Sequence, residues 1–355
     1  GSWGHVHPPL RHAAWHGLTP TDLVFPFFLF IVGVAMALSF ARRRDVGATR
    51  RDLLRKIAVR TAVIFTCGLL LNGFPFGLPL SAEAAADFTP AAVADSLADL
   101  RILGVLQRIA LCYGAAGLTV VLVRSPRGRW GVGLACLAVY EVAMRLPLVA
   151  GWGGGSFAAA NNFARWLDLF VLGPDHVWQG AGLPLEPEGL LTTLPAIVTV
   201  LLGHAAGTVL AGDRSLPARI RVLVGAGGLA AGAGLLLGCW EPVNKQLWTV
   251  SYTMLTAGLA AVALALCLWM IDVRGWRQVT RPAVVFGVNP LIAFVGSGLL
   301  ARVLVLVRVP DGAGETVSLN SWLYTELCVP VAGAVNGSLL FAVANVALWL
   351  GTLWW

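Results

Sequence analysis

The feature that most constrains this chain is a series of apolar stretches, each about as long as a bilayer crossing. A helix needs about 20 apolar residues to span the hydrocarbon core, and about nine such stretches follow one another along the 355 residues. The composition agrees, since only 12% of the residues are charged, against about 25% in soluble domains. The sequence therefore predicts an all-α, polytopic transmembrane bundle, organised as a single domain over residues 1–355. The expected spans are roughly 21–41, 57–73, 101–123, 130–150, 190–211, 219–239, 247–271, 282–306 and 335–355.

Two alternating sets of loops predict the orientation of the bundle. One set is rich in arginine, and basic residues are retained on the cytoplasmic side of a membrane. The other set is acidic and includes the long segment 151–189, so it is expected outside, together with the N-terminal segment. The net charge of +7 therefore reflects topology and not a nucleic-acid-binding surface. The basic loops lie at 42–60, 124–129, 214–221 and 274–281.

Small residues and prolines inside the spans indicate where helices meet or bend. Gly228 and Gly232, then Gly234 and Gly238, repeat the spacing that lets helix backbones approach closely in lipid. Pro290 is expected to kink or break the eighth span.

Ionisable side chains within the spans are candidates for function, because a charge in a bilayer is costly unless it is paired or hydrated. Glu141 and Arg145 are spaced for an i,i+4 ion pair and are interpreted as structural. Arg108, next to Gln107, either binds an anion such as a phosphate or joins helices through backbone carbonyls. His204 is interpreted as a hydrogen-bonded contact between helices.

The densest polar chemistry lies before the first span, where His5, His7, His12 and His16 precede Asp22. Three interpretations stay open for these residues. The histidines could hold a metal ion, the segment could be a solvated strip at the membrane surface, or one imidazole could act as a base or nucleophile oriented by a carboxylate. Spacing alone does not place Asp22 beside any of them.

The segment 10–33 resembles the heparan-α-glucosaminide N-acetyltransferase family, including its bacterial members. It reads LRHAAWHGLTPTDLVFPFFLFIVG, and the family has a histidine before Trp and Gly, followed by Asp-Leu-Val-Phe-Pro. Further similar segments follow in family order and span most of the chain, which makes the resemblance specific. They are RILGVLQRIA at 101–110, EPEGLLTTLPA at 186–196, PVNKQLW at 242–248 and FGVN at 286–289.

The resemblance implies an acetyltransferase that moves an acetyl group from acetyl-CoA to an amino sugar or cell-envelope glycan at the extracytoplasmic face. It assigns His12 as catalytic base or nucleophile and Asp22 as its matching aspartate, with Arg108, Gln107 and Asn289 as residues for the acetyl-CoA donor. Direct transfer and an acetyl-histidine intermediate both remain open. No metal and no nucleic acid is expected; the expected partners are membrane lipid, acetyl-CoA and the acceptor, with a homodimer as one option.

The resemblance also implies a longer protein, because the family core has ten spans and about nine are visible here. We expect that the first core span and an upstream Asn are missing from this chain. We likewise expect no lumenal domain like that of the lysosomal member, and this expectation favours a bacterial homologue in the inner membrane over an enzyme acting on heparan sulfate. Two other classes stay open: a transporter or flippase, since broken helices and buried charges also build transport pathways, and a non-catalytic scaffold.

Overall fold

The structure is a computed structural model that describes residues 4–79, 88–180, 182–311 and 316–354. It is mostly helical, with one antiparallel strand pair, β1 (Arg308–Pro310) and β2 (Thr316–Ser318). Four short helices accompany the long ones: α3 (Pro90–Ala98), α6 (Phe163–Leu172), α10 (Arg281–Val288) and α12 (Leu319–Trp322). The long helices are α1 (Val24–Asp45), α2 (Arg50–Gly73), α4 (Val105–Leu122), α5 (Pro126–Arg145), α7 (Leu190–Ala211), α8 (Leu216–Leu237), α9 (Val250–Leu268), α11 (Pro290–Leu306) and α13 (Val329–Leu353).

The all-α, polytopic class predicted from the sequence is confirmed, whereas the number of nine spans is not. Among the described residues, six helical segments are long and apolar enough to cross a membrane, or seven if the bent pair of α10 and α11 forms one span. That pair bends by 84° just before Pro290, as the proline predicts. Helices α2 and α5 have 24 and 20 residues, which is also a crossing length. They do not count among the six, although they overlap the spans predicted at 57–73 and 130–150.

The chain folds into two compact units. The larger unit contains residues 12–69 and 101–274, and the smaller contains 1–11, 70–100 and 275–355. Several helices of the larger unit begin at side-chain caps that the local sequence provides, because a helix start leaves backbone N–H groups without partners. The Ser125 hydroxyl accepts a hydrogen bond from the Gly128 amide before α5, and the Asn162 amide oxygen accepts one from the Arg165 amide before α6.

Helices α1 and α7 pack with almost no space between their backbones. A Cβ atom placed on Gly203 would lie 1.9 Å from the Phe30 carbonyl oxygen, and one placed on Gly33 would lie 2.0 Å from the carbonyl oxygen of Val200. Only glycine permits so close an approach. Helix α1 continues directly from the turn Pro20–Leu23, which contains Asp22.

The glycine pattern predicted for α8 is only partly right. Gly234 does contact the neighbouring helix α9, where a Cβ would lie 2.3 Å from the Leu255 amide nitrogen. A Cβ at Gly228 or Gly232 would meet nothing within 4 Å. The residue that shares the packed face with Gly234 is Gly227, two helical turns earlier, and a four-residue spacing read from the sequence does not say which face meets the partner helix.

Candidate active site

The predicted pair of His12 and Asp22 is brought together by the turn Pro20–Leu23 that leads into α1. Asp22 is buried, and its Oδ1 atom lies 2.6 Å from Nδ1 of His12. Its Oδ2 atom accepts hydrogen bonds from the Ala13 amide at 3.1 Å, the Thr19 amide at 3.1 Å and the Thr19 hydroxyl at 2.9 Å. Both carboxylate oxygens are therefore engaged, and the carboxylate has one fixed orientation.

This arrangement determines how His12 carries its proton. A carboxylate only accepts hydrogen bonds, so Nδ1 of the imidazole is the donor and Nε2 keeps a free lone pair in the neutral form. The His12 side chain is 47% exposed, whereas that of Asp22 is 2% exposed. An accessible imidazole held by a buried carboxylate can take a proton or attack an acyl group.

Lys245 joins this pair, and the sequence analysis did not assign it to the site. Its Nζ atom lies 3.2 Å from Nδ1 of His12 and 3.5 Å from Oδ1 of Asp22. Because Nδ1 donates to Asp22, it cannot also accept from the ammonium, so Lys245 acts on the pair through its charge toward the carboxylate. The available signal was that Lys245 is one of two lysines in the chain and lies within the PVNKQLW segment.

The loop before α9, residues 241–249, and the first turn of α9 contact the His12 segment. The Gly17 amide donates to the Val243 carbonyl at 2.8 Å, and the Tyr252 hydroxyl donates to the Asp22 carbonyl at 2.7 Å. Trp15 is half-buried against a core cluster of this unit and its indole N–H donates to the Phe157 carbonyl at 2.8 Å. Trp15 therefore acts at least as a packing residue that ties the segment to the bundle.

Asn244 is the central anchor of this loop and is fully buried. Its Nδ2 atom lies 2.8 Å from the Trp15 carbonyl oxygen and 3.2 Å from Nδ1 of His16, and its Oδ1 atom accepts a hydrogen bond from the Leu247 amide at 2.8 Å. Trp15 and His16 are thereby tied to a loop more than 220 residues later in the chain.

The other N-terminal histidines have separate neighbours. In the smaller unit, His5 stacks on Tyr324 with ring centroids 6.4 Å apart, and Nε2 of His7 lies 3.1 Å from the Asn336 amide oxygen. Within the described ranges, no group of three or more His, Cys, Asp or Glu side chains is arranged to hold a metal ion. The geometry thus gives the metal interpretation no support.

Arg108 makes the contacts of a residue that joins helices. It is 1% exposed, and its Nη2 atom donates to the Gly189 carbonyl at 3.3 Å and to the Thr192 hydroxyl. Its guanidinium also lies over the Trp248 ring, 5.2 Å from the centroid, in a cation–π contact. Gln107 is equally buried and lies against the backbone of α2 at Gly68. These contacts fit the helix-joining interpretation. Within the described residues, however, Nε and Nη1 of Arg108 are buried without a hydrogen-bond partner, which fits the anion-binding interpretation.

Two of the family-like segments, 101–110 and 186–196, meet in space through charges that the sequence analysis missed. Arg101 forms a bidentate ion pair with Glu186, at 2.9 and 2.6 Å, and contacts Glu188 at 2.7 Å. Nearby, Oδ1 of Asp168 accepts a hydrogen bond from the Leu190 amide at the start of α7. Burial raises the pKa of Asp168 to about 7. These contacts hold the segment 186–196, which contains the Arg108 partners Gly189 and Thr192.

The other predicted residues have neighbours of their own. Glu141 and Arg145 form the expected i,i+4 ion pair at 2.6 Å, and their structural interpretation stays a prediction. His204 is buried in α7. Asn289 belongs to the smaller unit, at the break between α10 and α11, where its side-chain amide donates to the Val285 carbonyl at 3.2 Å.

Comparison with known proteins identifies relatives along most of the chain. The heparan-α-glucosaminide N-acetyltransferase of Homo sapiens is 28% identical over 334 residues, covering 81% of this chain and 48% of the human protein. The enzyme of the same name from Mus musculus is 25% identical over 343 residues, covering 82% and 49%. The chain thus spans about half the length of these curated relatives, and no family model matches it. The matches confirm the resemblance predicted from the motifs and support membership of the chain in the heparan-α-glucosaminide N-acetyltransferase family.

Proposed function

We propose that this chain is a membrane acetyltransferase that moves an acetyl group from acetyl-CoA to an amino sugar or cell-envelope glycan in a bacterial inner membrane. The observation that carries the proposal is the half-exposed His12 imidazole, held at 2.6 Å by the buried carboxylate of Asp22. The family relationship supports the reaction class. That the motifs run from residue 10 to residue 289 supports one acyltransferase-like domain over residues 1–355.

His12 carries the chemistry in this proposal. In direct transfer, Nε2 takes a proton from the acceptor amine as the amine nitrogen attacks the acyl carbon, and the proton then passes to the leaving thiolate of coenzyme A. In the two-step alternative, Nε2 itself attacks the acyl carbon, the C–S bond breaks, and the acetyl-imidazole passes its acyl group to the acceptor. Asp22 orients the ring and stabilises its positive charge in either case.

In the larger unit, Gln107 and Arg108 are proposed to serve the acetyl-CoA donor. Asn289, in the smaller unit, stays a separate prediction for a donor residue. Gln107 and Arg108 are each 1% exposed, so they act on acetyl-CoA by ordering the helices around it and not as surface contacts. Arg108 would order these helices through its hydrogen bonds to the Gly189 carbonyl and the Thr192 hydroxyl.

Labelled acetyl-CoA distinguishes this function from the alternatives. The full-length protein in liposomes, given a panel of amino sugars and cell-envelope glycans, is expected to place the labelled acetyl group on at least one acceptor. The bend of 84° between α10 and α11 is the observation that favours a transporter, since broken helices line transport pathways. Uptake of an acceptor without acetylation would support that alternative, and neither transfer nor uptake would favour a scaffold.

We further propose nine spans, with the His12 segment periplasmic and the arginine-rich loops cytoplasmic. The His12 segment contacts Phe157 of the segment 151–189 and the loop residues 243–245. Arginine counting assigns both of these regions to the outside.

Cysteine labelling tests this orientation. In a variant whose six native cysteines are replaced, Ala158→Cys in the segment 151–189 is expected to react with an impermeant thiol reagent added outside intact cells. Val46→Cys, in the first arginine-rich loop, is expected to react only after the membrane is permeabilised. Both positions are exposed in the structure. A cysteine that fails to react in intact cells is therefore protected by the membrane and not by the fold. The reverse pattern would overturn the orientation.

A further inference from the structure

His16 lies four residues after His12, and the orientation of Asn244 fixes which of its nitrogens carries a proton. An asparagine amide can be placed in two ways that look alike, so its orientation must follow from its partners. The Leu247 amide is a donor and requires Oδ1 of Asn244 to face it, while the Trp15 carbonyl is an acceptor and requires Nδ2 on the other side. Both partners give the same answer.

This orientation makes His16 a hydrogen-bond acceptor at Nδ1, because Nδ2 of Asn244 can only donate to it across 3.2 Å. A neutral imidazole with an accepting Nδ1 has its proton on Nε2. Burial lowers the pKa of His16, which favours this neutral form near pH 7. The Trp15 ring meets the imidazole edge-on at 6.1 Å and restrains its orientation.

The two imidazoles of this segment are therefore held in opposite tautomers. His12 donates through Nδ1 to Asp22 and leaves a lone pair on Nε2, whereas His16 accepts through Nδ1 and leaves an N–H on Nε2. Both residues are exposed, and the loop 241–249 lies beside both of them. Asn244 of this loop bonds to His16, and Lys245 lies next to the pair of His12 and Asp22. One presents a base and the other presents a neutral donor.

We propose that His16 is a second catalytic residue, whose Nε2–H donates a hydrogen bond to the carbonyl oxygen of the acyl group during transfer. The inference rests on the proposed acetyltransferase function. When the acceptor nitrogen attacks, the C–N bond forms and the carbonyl π electrons move onto oxygen, where a preorganised donor stabilises the charge. When the C–S bond breaks, the electrons return and the thiolate takes its proton from His12. His16 keeps its proton throughout.

Two substitutions separate this role from a merely structural one. His16→Gln places an amide at the distance of Nε2, so it keeps a donor for the substrate. His16→Asn places an amide at the distance of Nδ1, so it can keep the contact with Asn244 but offers nothing to the substrate. We expect His16→Asn to lower kcat by about 10²-fold, the effect of losing one such donor, with little change in KM, and His16→Gln to stay within about tenfold of the wild type.

Equal kcat values for the two variants, full activity of His16→Asn, or a loss confined to the KM of the acceptor would overturn the inference. The tautomer is measured independently of activity, from the ¹⁵N spectrum of protein labelled at histidine, with His16 assigned by its absence in His16→Gln. A protonated Nε2 and an unprotonated Nδ1 are expected, and the opposite tautomer would contradict the proposal. If the wild type transfers no acetyl group, the proposed function fails. If the wild type transfers acetyl groups but the two variants do not show the expected rates, only the role of His16 fails.

Discussion

His12→Ala in the full-length protein is expected to lower acetyl transfer by about 10²- to 10⁴-fold, the contribution of a positioned general base, or to abolish it if the imidazole itself carries the acetyl group. The reason is that Nε2 is the free lone pair presented by the His12–Asp22 pair. Folding should be nearly unchanged, because the side chain is half exposed and packs little. The measurements are kcat/KM with labelled acetyl-CoA and the thermal midpoint in detergent.

Asp22→Asn should be about as damaging as His12→Ala, for a reason visible in the hydrogen bonds of the carboxylate. Three donors from Ala13 and Thr19 converge on Oδ2, so the oxygen of the new amide must occupy that position. Its NH₂ group then faces Nδ1 of His12 and forces that atom to accept. The proton moves to Nε2, and the base is lost although the shape is kept.

The matched control for both variants is His7→Ala, which removes a histidine of the same segment that contacts Asn336 in the smaller unit. It should retain most of the wild-type rate. Turnover near wild type in a well-folded His12→Ala protein would remove His12 from the mechanism, and a fully active Asp22→Asn would show that the carboxylate does not set the tautomer. Failure of all three variants together would instead indicate a shared metal site.

Gly203→Ala is expected to have the largest effect on stability, because one methyl group must enter the contact between α1 and α7. The added Cβ would lie 1.9 Å from the backbone oxygen of Phe30, and a backbone atom cannot move aside as a side chain can. Overpacking costs typically 1–3 kcal/mol, and we expect about 3 kcal/mol here. The helices must separate, which should also displace the Asp22 turn at the start of α1 and reduce activity.

Gly232→Ala is the matched control, since a Cβ at that position in α8 meets nothing within 4 Å. Alanine is favoured over glycine in a helix by roughly 0.5–1 kcal/mol, so this variant should be neutral or slightly more stable. Thermal unfolding in detergent compares the two proteins directly. Equal midpoints for Gly203→Ala and Gly232→Ala would contradict the close packing of α1 on α7.

The sequence by itself determined the helical membrane class and the position of most long helices. These properties are local, because an apolar run of the length of α7, α8 or α9 has few other stable states in a bilayer. It also indicated His12 and Asp22, but through family resemblance, since ten intervening residues do not reveal that two side chains meet. Apolar stretches of the same kind predicted membrane spans at α2 and α5, and the structure does not confirm that these two helices cross the membrane.

Only the tertiary structure decided which distant residues complete the site. Asn244 and Lys245 lie more than 220 residues after the histidines they contact, and no periodicity in the sequence encodes such a meeting. The same holds for the pairing of Arg101 with Glu186 and for the choice of Gly227 over Gly228 at a helix contact. Composition and spacing indicate whether a segment lies in the bilayer or in water. Which distant residue it contacts is determined by how the helices pack against one another.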